Sequence, residues 1–188
     1  DVFVSQFNSA QMMADKWNLS RADMEAYALR SHSRALSAIE QGYFDREICP
    51  LNGIKMDETP RVTSLEKMAE LEPIQEGGSI TAAVSSQTCD GASAVLLVSE
   101  EALKRYNLTP RARIAHMSVR GADPIWMLTA PIPATAHALK KAQMSIHDID
   151  LVEINEAFAP VPMAWLAEMG FDPEKTNVNG GAIALGHP

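Results

Sequence analysis

"IDLVEINEAFAPVPMAWLAEMG", residues 149–170, joins two segments whose side-chain patterns differ. Residues 149–154 are rich in branched apolar side chains, which predicts a short buried strand. The residues that follow predict a helix that starts near Glu156 or Ala157. A strand that leads directly into a helix is a building unit of α/β folds.

The same alternation is found upstream of this stretch. "ASAVLLVS" (92–99) and "ARIAHMSVRG" (112–121) predict two more strands, the first of them buried. A helix is predicted after each, opening at Ser99 in the first case and covering "ATAHALKKAQ" (134–143) in the second. Strands that alternate with helices predict an α/β fold in which helices pack on a layered sheet.

The first part of the chain is predicted to be mostly helical. Residues 20–41 predict a long helix, because Ser20 and Asp23 have the spacing of a capping box and Gly42 follows the last apolar position. Residues 64–73 predict a second, shorter helix that Pro73 stops.

Composition and charge limit the possible partners. The formal net charge is −8 and the isoelectric point is near 5.1, so overall charge does not favour nucleic acid or an anionic membrane, and we expect neither as a partner. Four basic residues are interpreted as solvated surface charge: Lys104, Arg105, Arg111 and Arg113. The sequence shows no signal peptide and no apolar run near the roughly 18 residues of a spanning helix. These features predict a soluble, cytoplasmic protein.

The two cysteines, Cys49 and Cys89, are far apart in the sequence and have neither Cys-x-x-Cys nor Cys/His spacing. This predicts a reducing compartment, without a disulfide framework and without a metal site. We interpret both as small packed residues rather than as nucleophiles.

Asn155 is predicted to lie at the carboxyl end of a buried strand, where α/β sheets commonly build their sites. An amide in that place can hold a water or donate to an oxyanion without a change of charge. Asn155 could equally cap the helix that follows, which is a common use of asparagine. Its position alone does not separate the two interpretations.

The stretch "NVNGGAIALGHP", residues 177–188, delivers a histidine from a glycine-rich turn. Gly180, Gly181 and Gly186 permit close approaches that larger residues would block. A histidine held between glycine and proline favours acid–base chemistry for His187 over an ordinary surface or core role. Binding of a phosphate by these glycines is weakly supported, because neither GxGxxG nor GxxxxGK[ST] is present.

"NEAFA" followed by "NVNGGAIALGHP" closely resembles the thiolase family, which makes and breaks 3-ketoacyl-CoA thioesters. Four further stretches resemble thiolase segments in the family's order: "SRADMEAYALRSHSRA", "TPRVTSLEKMAELEP", "GSITAAVSSQTCDGASAVLLVSE" and "DPIWMLTAPIPATAHALKKA". The resemblance implies an acyltransferase of fatty acid and lipid metabolism that works through an acyl-cysteine intermediate. It implies that acyl-CoA and CoA are the small-molecule partners, that CoA is a substrate and that no separate cofactor is needed.

The resemblance also assigns roles to individual residues. His187 would activate the nucleophilic cysteine and line an oxyanion hole together with a water that Asn155 holds. The substrate-binding residues implied are Ser86 and Ala82 for the pantetheine arm, Met127, Ala157 and Phe158 for the wall beside the thioester, and Arg61 for the nucleotide end of CoA. Met127 and Phe158 could instead be ordinary core residues.

Both catalytic cysteines of the family lie in motifs that this sequence does not contain, so we expect a middle segment of a thiolase that is inactive alone. The implied parent fold is two similar βαβαβαββ halves packed as a layered α/β sandwich, only partly present here. The expected division is residues 1–77 in the loop domain that covers CoA, 78–110 at the end of the N-terminal core, and 111–188 at the start of the C-terminal core.

The parent protein is therefore expected to catalyse thiolytic cleavage or Claisen condensation of 3-ketoacyl-CoA, and to form a homodimer or homotetramer. The alternative is a non-catalytic relative that binds acyl-CoA without turnover. Trp126, next to Met127, suggests a bulky acyl chain or a ring system. The direction of the reaction is not determined by these residues.

Overall fold

The computed structural model describes residues 4–188, and helices dominate this part of the chain. Within residues 4–188, four one-turn 3-10 helices lie at Ala82–Val84, Met127–Thr129, Ile146–Asp148 and Pro173–Lys175. The α-helices are α1 (Gln6–Lys16), α2 (Arg21–Glu40), α3 (Leu65–Ala69), α4 (Glu100–Arg105), α5 (Pro131–Ala142), α6 (Pro160–Met169) and α7 (Ala182–Leu185).

Helix α2 begins and ends as its sequence predicts. The Ser20 hydroxyl accepts from the Asp23 N–H, and the Asp23 carboxylate accepts from the Ser20 N–H, which completes the capping box. The chain leaves the helix at Gly42, whose φ of 70° suits glycine. The predicted helices after Ser64 and Ser99 are also present, each with that serine as its N-cap.

The hydrophobic core lies where α1, α2, α6 and α7 meet the segment around residues 80–84. Met13 of α1, Met24 of α2, Val84 and Ile183 of α7 are each almost completely buried. Helix α2 crosses the middle of this core and contacts α3, α7 and the 3-10 turn at Ala82–Val84. This arrangement supports the two segments that carry the candidate site. Among residues 4–188, no helix has both the length and the apolar character needed to span a membrane.

The three predicted strands are not present as strands in the part of the chain that the structure describes. Residues 92–98 and 112–121 carry no helix or strand, and residues 149–154 form one isolated bridge, Val152 to Thr176. The prediction that 92–99 is buried is wrong for this structure, since Val95 is 82% exposed. A strand needs a neighbouring backbone for its N–H and C=O groups, and within residues 4–188 these apolar segments have no such ladder.

The helix predicted to start at Glu156 or Ala157 starts three to four residues later, at Pro160. The Ala159 N–H donates to the Val84 carbonyl at 2.8 Å, so the backbone before Pro160 bonds to another segment and does not form a helix. Pro160 and Pro162 occupy the first turn, where their missing N–H groups would have no helical partner.

Candidate active-site cavity

Residues 84–87 bring together two segments that are far away in the sequence. The Ser86 N–H donates to the Ala157 carbonyl at 3.0 Å, which joins the "NEAF" stretch to this segment. On the other side, the His187 N–H donates to the Gln87 carbonyl at 2.8 Å. Backbone hydrogen bonds of residues 86 and 87 therefore connect His187 to the "NEAF" stretch.

A cavity of about 590 Å³ opens beside this junction. Its opposite wall comes from the start of α1, residues 4–7. Five of the residues assigned by resemblance line it: Ser86, Met127, Ala157, Phe158 and His187. A cavity of this size with an apolar wall and a few polar groups is typical of small-molecule sites.

The apolar wall contains an edge-to-face aromatic pair. The ring of Phe7, at the start of α1, lies 5.5 Å from the ring of Phe158 at an angle of 74°. Phe158 is 5% exposed and Phe7 is 39% exposed, so Phe7 is the ring that a bound molecule would meet. The family resemblance marks Phe158 but not Phe7, because α1 carries no motif that identifies it as part of a site.

Trp126 does not line the cavity, although Met127 does. Its ring packs edge-to-face on Trp17 with centroids 6.4 Å apart. The Lys16 ammonium group lies 4.5 Å from the Trp17 ring centre and 4.9 Å from that of Trp126. These contacts attach the turn that carries Met127 to α1, so Trp126 supports the cavity wall from behind.

Three of the assigned residues lie outside the cavity: Asn155, Ala82 and Arg61. Asn155 is exposed on the segment that leads to Ala157. The interpretation of Asn155 as a helix cap is wrong, because Ala159 holds the N-cap position of α6. Ala82 is exposed at the start of its 3-10 turn.

Arg61 contacts the site indirectly. Its guanidinium group donates to the Gln87 side-chain oxygen at 2.6 Å, and its N–H donates to Nδ1 of His32 at 3.3 Å. Burial, with a smaller effect from the Arg61 charge, lowers the pKa of His32 to about 4, so His32 is neutral near pH 7 and can accept this bond. Gln87 also donates to the carbonyls of Ile183 and Ala184, and thus joins the Arg61 loop to α7.

Glu156, inside the "NEAF" stretch, is the most buried carboxylate of the site and is 1% exposed. Oε1 accepts from the Tyr27 hydroxyl at 2.9 Å and from the Asn177 amide at 2.8 Å. Oε2 accepts from the Ser31 hydroxyl at 2.7 Å and from the Ile183 N–H at 3.1 Å. Burial, and next the negative charge of Glu156, raise the pKa of Tyr27.

Neither Glu156 nor Asn177 was among the residues predicted from the sequence to form the site. The spacing of polar residues along α2, with Tyr27 and Ser31 one turn apart, is the signal that could have marked a polar face inside the core. Such a face needs a buried partner, and an acidic residue next to a predicted strand end is a candidate for it.

The two cysteines, Cys49 and Cys89, differ in their surroundings. The interpretation of Cys49 as a packed residue is wrong, because Cys49 is exposed on a loop; both cysteines are free. Cys89 packs against Gly186, where a side chain in place of the glycine would overlap with its sulfur. Within residues 4–188, no group of three or more His, Cys, Asp or Glu side chains is arranged to hold a metal ion.

Comparisons with known proteins agree over nearly the whole chain. Residues 5–101 match the model of the thiolase N-terminal domain, and residues 108–188 match that of the thiolase C-terminal domain. The steroid 3-ketoacyl-CoA thiolase FadA6 of Mycobacterium tuberculosis is 59% identical over all of this chain and 47% of its own length. The mitochondrial 3-ketoacyl-CoA thiolase of Bos taurus is 45% identical over 96% of this chain and 48% of its own.

Solved structures give the same result. The human mitochondrial 3-ketoacyl-CoA thiolase in complex with CoA superposes with a TM-score of 0.93 at 45% identity, over 96% of this chain and 47% of that one. The acetyl-CoA acetyltransferase of Bacillus anthracis superposes with a TM-score of 0.92 at 40% identity, over 98% and 50%. The chain belongs to the thiolase family and has the thiolase fold over its length. It spans about half the length of the relatives it matches.

Proposed function

We propose that the chain forms one side of the active site of a thiolase, an acyltransferase that cleaves or condenses 3-ketoacyl-CoA thioesters. The observation that carries this proposal is the shared cavity of His187, Ser86, Met127, Ala157 and Phe158. These residues come from four separate parts of the sequence, and the family resemblance selects all of them.

The chain spans about half the length of its relatives, and neither Cys49 nor Cys89 stands in a sequence motif like those of the family's catalytic cysteines. We therefore propose that the nucleophilic cysteine, and a second cysteine that acts as acid and base, belong to the rest of a longer polypeptide, called the full-length enzyme below. In it, residues 1–77 would belong to the loop domain over CoA, 78–110 to the N-terminal core and 111–188 to the C-terminal core.

The same proposal accounts for the exposed apolar segments 92–98 and 112–121. In the full-length enzyme, neighbouring strands would pair with them and give the layered α/β arrangement of two βαβαβαββ halves. Pairing would satisfy their backbone groups and cover side chains such as Val95 and Val119.

In thiolysis, His187 would take the proton of the nucleophilic thiol, and the thiolate would attack the keto carbon of the substrate. The bond between the keto carbon and the α-carbon then breaks. The acyl group stays on the cysteine, and the second cysteine protonates the acetyl-CoA enolate. A CoA thiol then gives its proton to the second cysteine and attacks the acyl-cysteine. Acyl-CoA leaves, and the nucleophilic cysteine takes its proton back from His187. His187 and a water on Asn155 would donate to the oxygen that gains charge.

The acyl group that we propose is bulky and contains a ring. The relative at 59% identity is named a steroid 3-ketoacyl-CoA thiolase, and the cavity wall offers the partly exposed ring of Phe7 to a flat apolar group. Relatives are named mitochondrial and cytosolic, so the cytoplasmic location stays a prediction, as does the homodimer or homotetramer.

The test of the function is turnover by the full-length enzyme. We expect CoA-dependent cleavage of a 3-ketoacyl-CoA, and mass spectrometry should find one acyl group on a cysteine outside residues 1–188. Binding of acyl-CoA without acylation would favour the non-catalytic alternative. Acylation of Cys49 or Cys89 in the 188-residue chain would show that the nucleophile has been misplaced.

Ser86→Ala is expected to raise KM for CoA thioesters roughly threefold to tenfold, the effect of one lost hydrogen bond, and to leave kcat nearly unchanged. Ser86 lines the cavity at its polar side, where the pantetheine arm would pass. Steady-state kinetics with Ser33→Ala, an exposed serine of α2, as the control will check this. A large fall in kcat at constant KM would contradict the binding role.

Phe7→Ala is expected to reduce the preference for ring-bearing over acetoacetyl substrates about tenfold, since an aromatic contact contributes about 1 kcal/mol beyond its area. The ratio of the two kcat/KM values measures it. Phe171→Ala is the matched control, because it removes an aromatic pair with Trp165 away from the cavity. An unchanged ratio, or an equal change in the control, would exclude Phe7 from substrate selection.

A further inference from the structure

The four groups that bind the Glu156 carboxylate come from three parts of the fold. Tyr27 and Ser31 lie on α2, Asn177 lies on the turn after residue 176, and Ile183 lies on α7. Asn177 has a left-handed backbone, with φ of 48°, and its side chain also bonds both backbone groups of Ile154. One carboxylate therefore ties three elements to the "NEAF" stretch.

The direction of these hydrogen bonds suits a carboxylate. The Ser31 oxygen accepts from the Gly181 N–H at 3.0 Å, so its own proton is directed to Glu156. The Asn177 NH₂ group and the Ile183 N–H can only donate to an oxygen; they cannot accept a hydrogen bond from it. Among residues 4–188 no lysine or arginine forms an ion pair with Glu156, so donors, not a counter-charge, compensate for its burial.

The chain on both sides of this network leads to the cavity. Ala157 and Phe158, which follow Glu156 directly, line the cavity. Ile183 belongs to α7, whose C-cap, Gly186, stands immediately before His187. The Glu156 carboxylate packs directly against Gly181, where any side chain would overlap with it. A shift of this carboxylate would thus move both the wall residues and the histidine.

We propose that Glu156 is a positioning residue, which sets the distance between the turn that carries His187 and the wall formed by Ala157 and Phe158. Glu156 is itself outside the cavity and touches no reacting atom in this arrangement. The inference rests on the proposed function, since it concerns the alignment of the same site.

The variant that tests this is Glu156→Gln in the full-length enzyme. Glutamine keeps the size but places an NH₂ group against two donors, so the network loosens without leaving a void. We expect kcat to fall roughly 10-fold to 100-fold, as for a misplacement of about 1 Å, while KM for the CoA thioester stays within about twofold. Glu153→Gln, the same change at an exposed glutamate of the same segment, should keep kcat within about twofold.

Thermal melting of each variant, with assays well below the melting temperature, separates positioning from stability. If Glu156 acts through stability alone, its substitution lowers the melting temperature and leaves kcat per folded site unchanged. If Glu156→Gln does not fold, Ser31→Ala replaces it, because it removes one donor and keeps the charge. We then expect a fall in kcat of roughly threefold to tenfold.

If the full-length enzyme is active and its Glu156→Gln or Ser31→Ala form keeps its kcat, the inference is overturned and the proposed function stands. An equal loss in Glu153→Gln would also overturn it. If the full-length enzyme does not turn over any 3-ketoacyl-CoA, both the proposed function and the positioning role of Glu156 are overturned.

Discussion

His187→Ala in the full-length enzyme should lower kcat by roughly 10²-fold to 10⁴-fold, the range for loss of a general base that also donates to an oxyanion. The structure places His187 in the wall of the cavity, on a turn fixed by the Gln87 carbonyl. That bond uses the backbone of His187, so alanine can keep it. The imidazole is exposed, and its loss should therefore leave the fold nearly unchanged.

Steady-state kinetics and thermal melting check this prediction together. His147→Ala is the matched control, because His147 is also exposed and lies on a 3-10 turn away from the cavity. Its kcat should stay within about twofold of the parent value. Near-full thiolysis by His187→Ala would remove the central role that we assign to this residue.

Asn155→Ala should cost about 2–4 kcal/mol of transition-state stabilisation, which is the loss of one oxyanion donor. The amide is exposed next to the segment that lines the cavity, so it is free to hold a water for the site. Because Ala159 is the N-cap of α6, the substitution should not cost the roughly 1 kcal/mol of a lost helix cap.

The measurement is kcat/KM together with the free energy of unfolding. Glu153→Ala, an exposed residue two positions earlier, should change neither quantity appreciably. A drop in stability with unchanged kcat/KM would assign Asn155 a purely structural role.

The helix boundaries that the sequence predicts well are those with local causes. Ser20, Ser64 and Ser99 each bond a backbone N–H three residues ahead, and a bond of that range can be inferred from spacing alone. The start of α6 has a distant cause, the pairing of Ala159 with Val84, so local spacing placed it three to four residues too early.

In the candidate site, too, features with a sequence motif were predicted and those that depend on tertiary contacts were not. The resemblance selected His187, Ser86 and Phe158, which line one cavity, although they are far apart in the sequence. Phe7 and Glu156 were missed, because their roles depend on tertiary contacts, an aromatic pair and a buried carboxylate network. Helix α1 as a whole has no counterpart among the predicted helices. The predicted strands lack partners among residues 4–188, and pairing cannot be judged from one strand alone.

The crowded contact between Gly181 and Glu156 also constrains how this protein can evolve. A side chain at position 181 has no space while glutamate occupies position 156. An alanine that arises first at position 181 should therefore be eliminated by selection. If Glu156 first shortens to aspartate, space appears, but the four donors lose contact with their acceptor. Neutral drift at these two positions is therefore coupled, and each substitution depends on the residue already present at the other. In related sequences the two sites should change together or remain as they are.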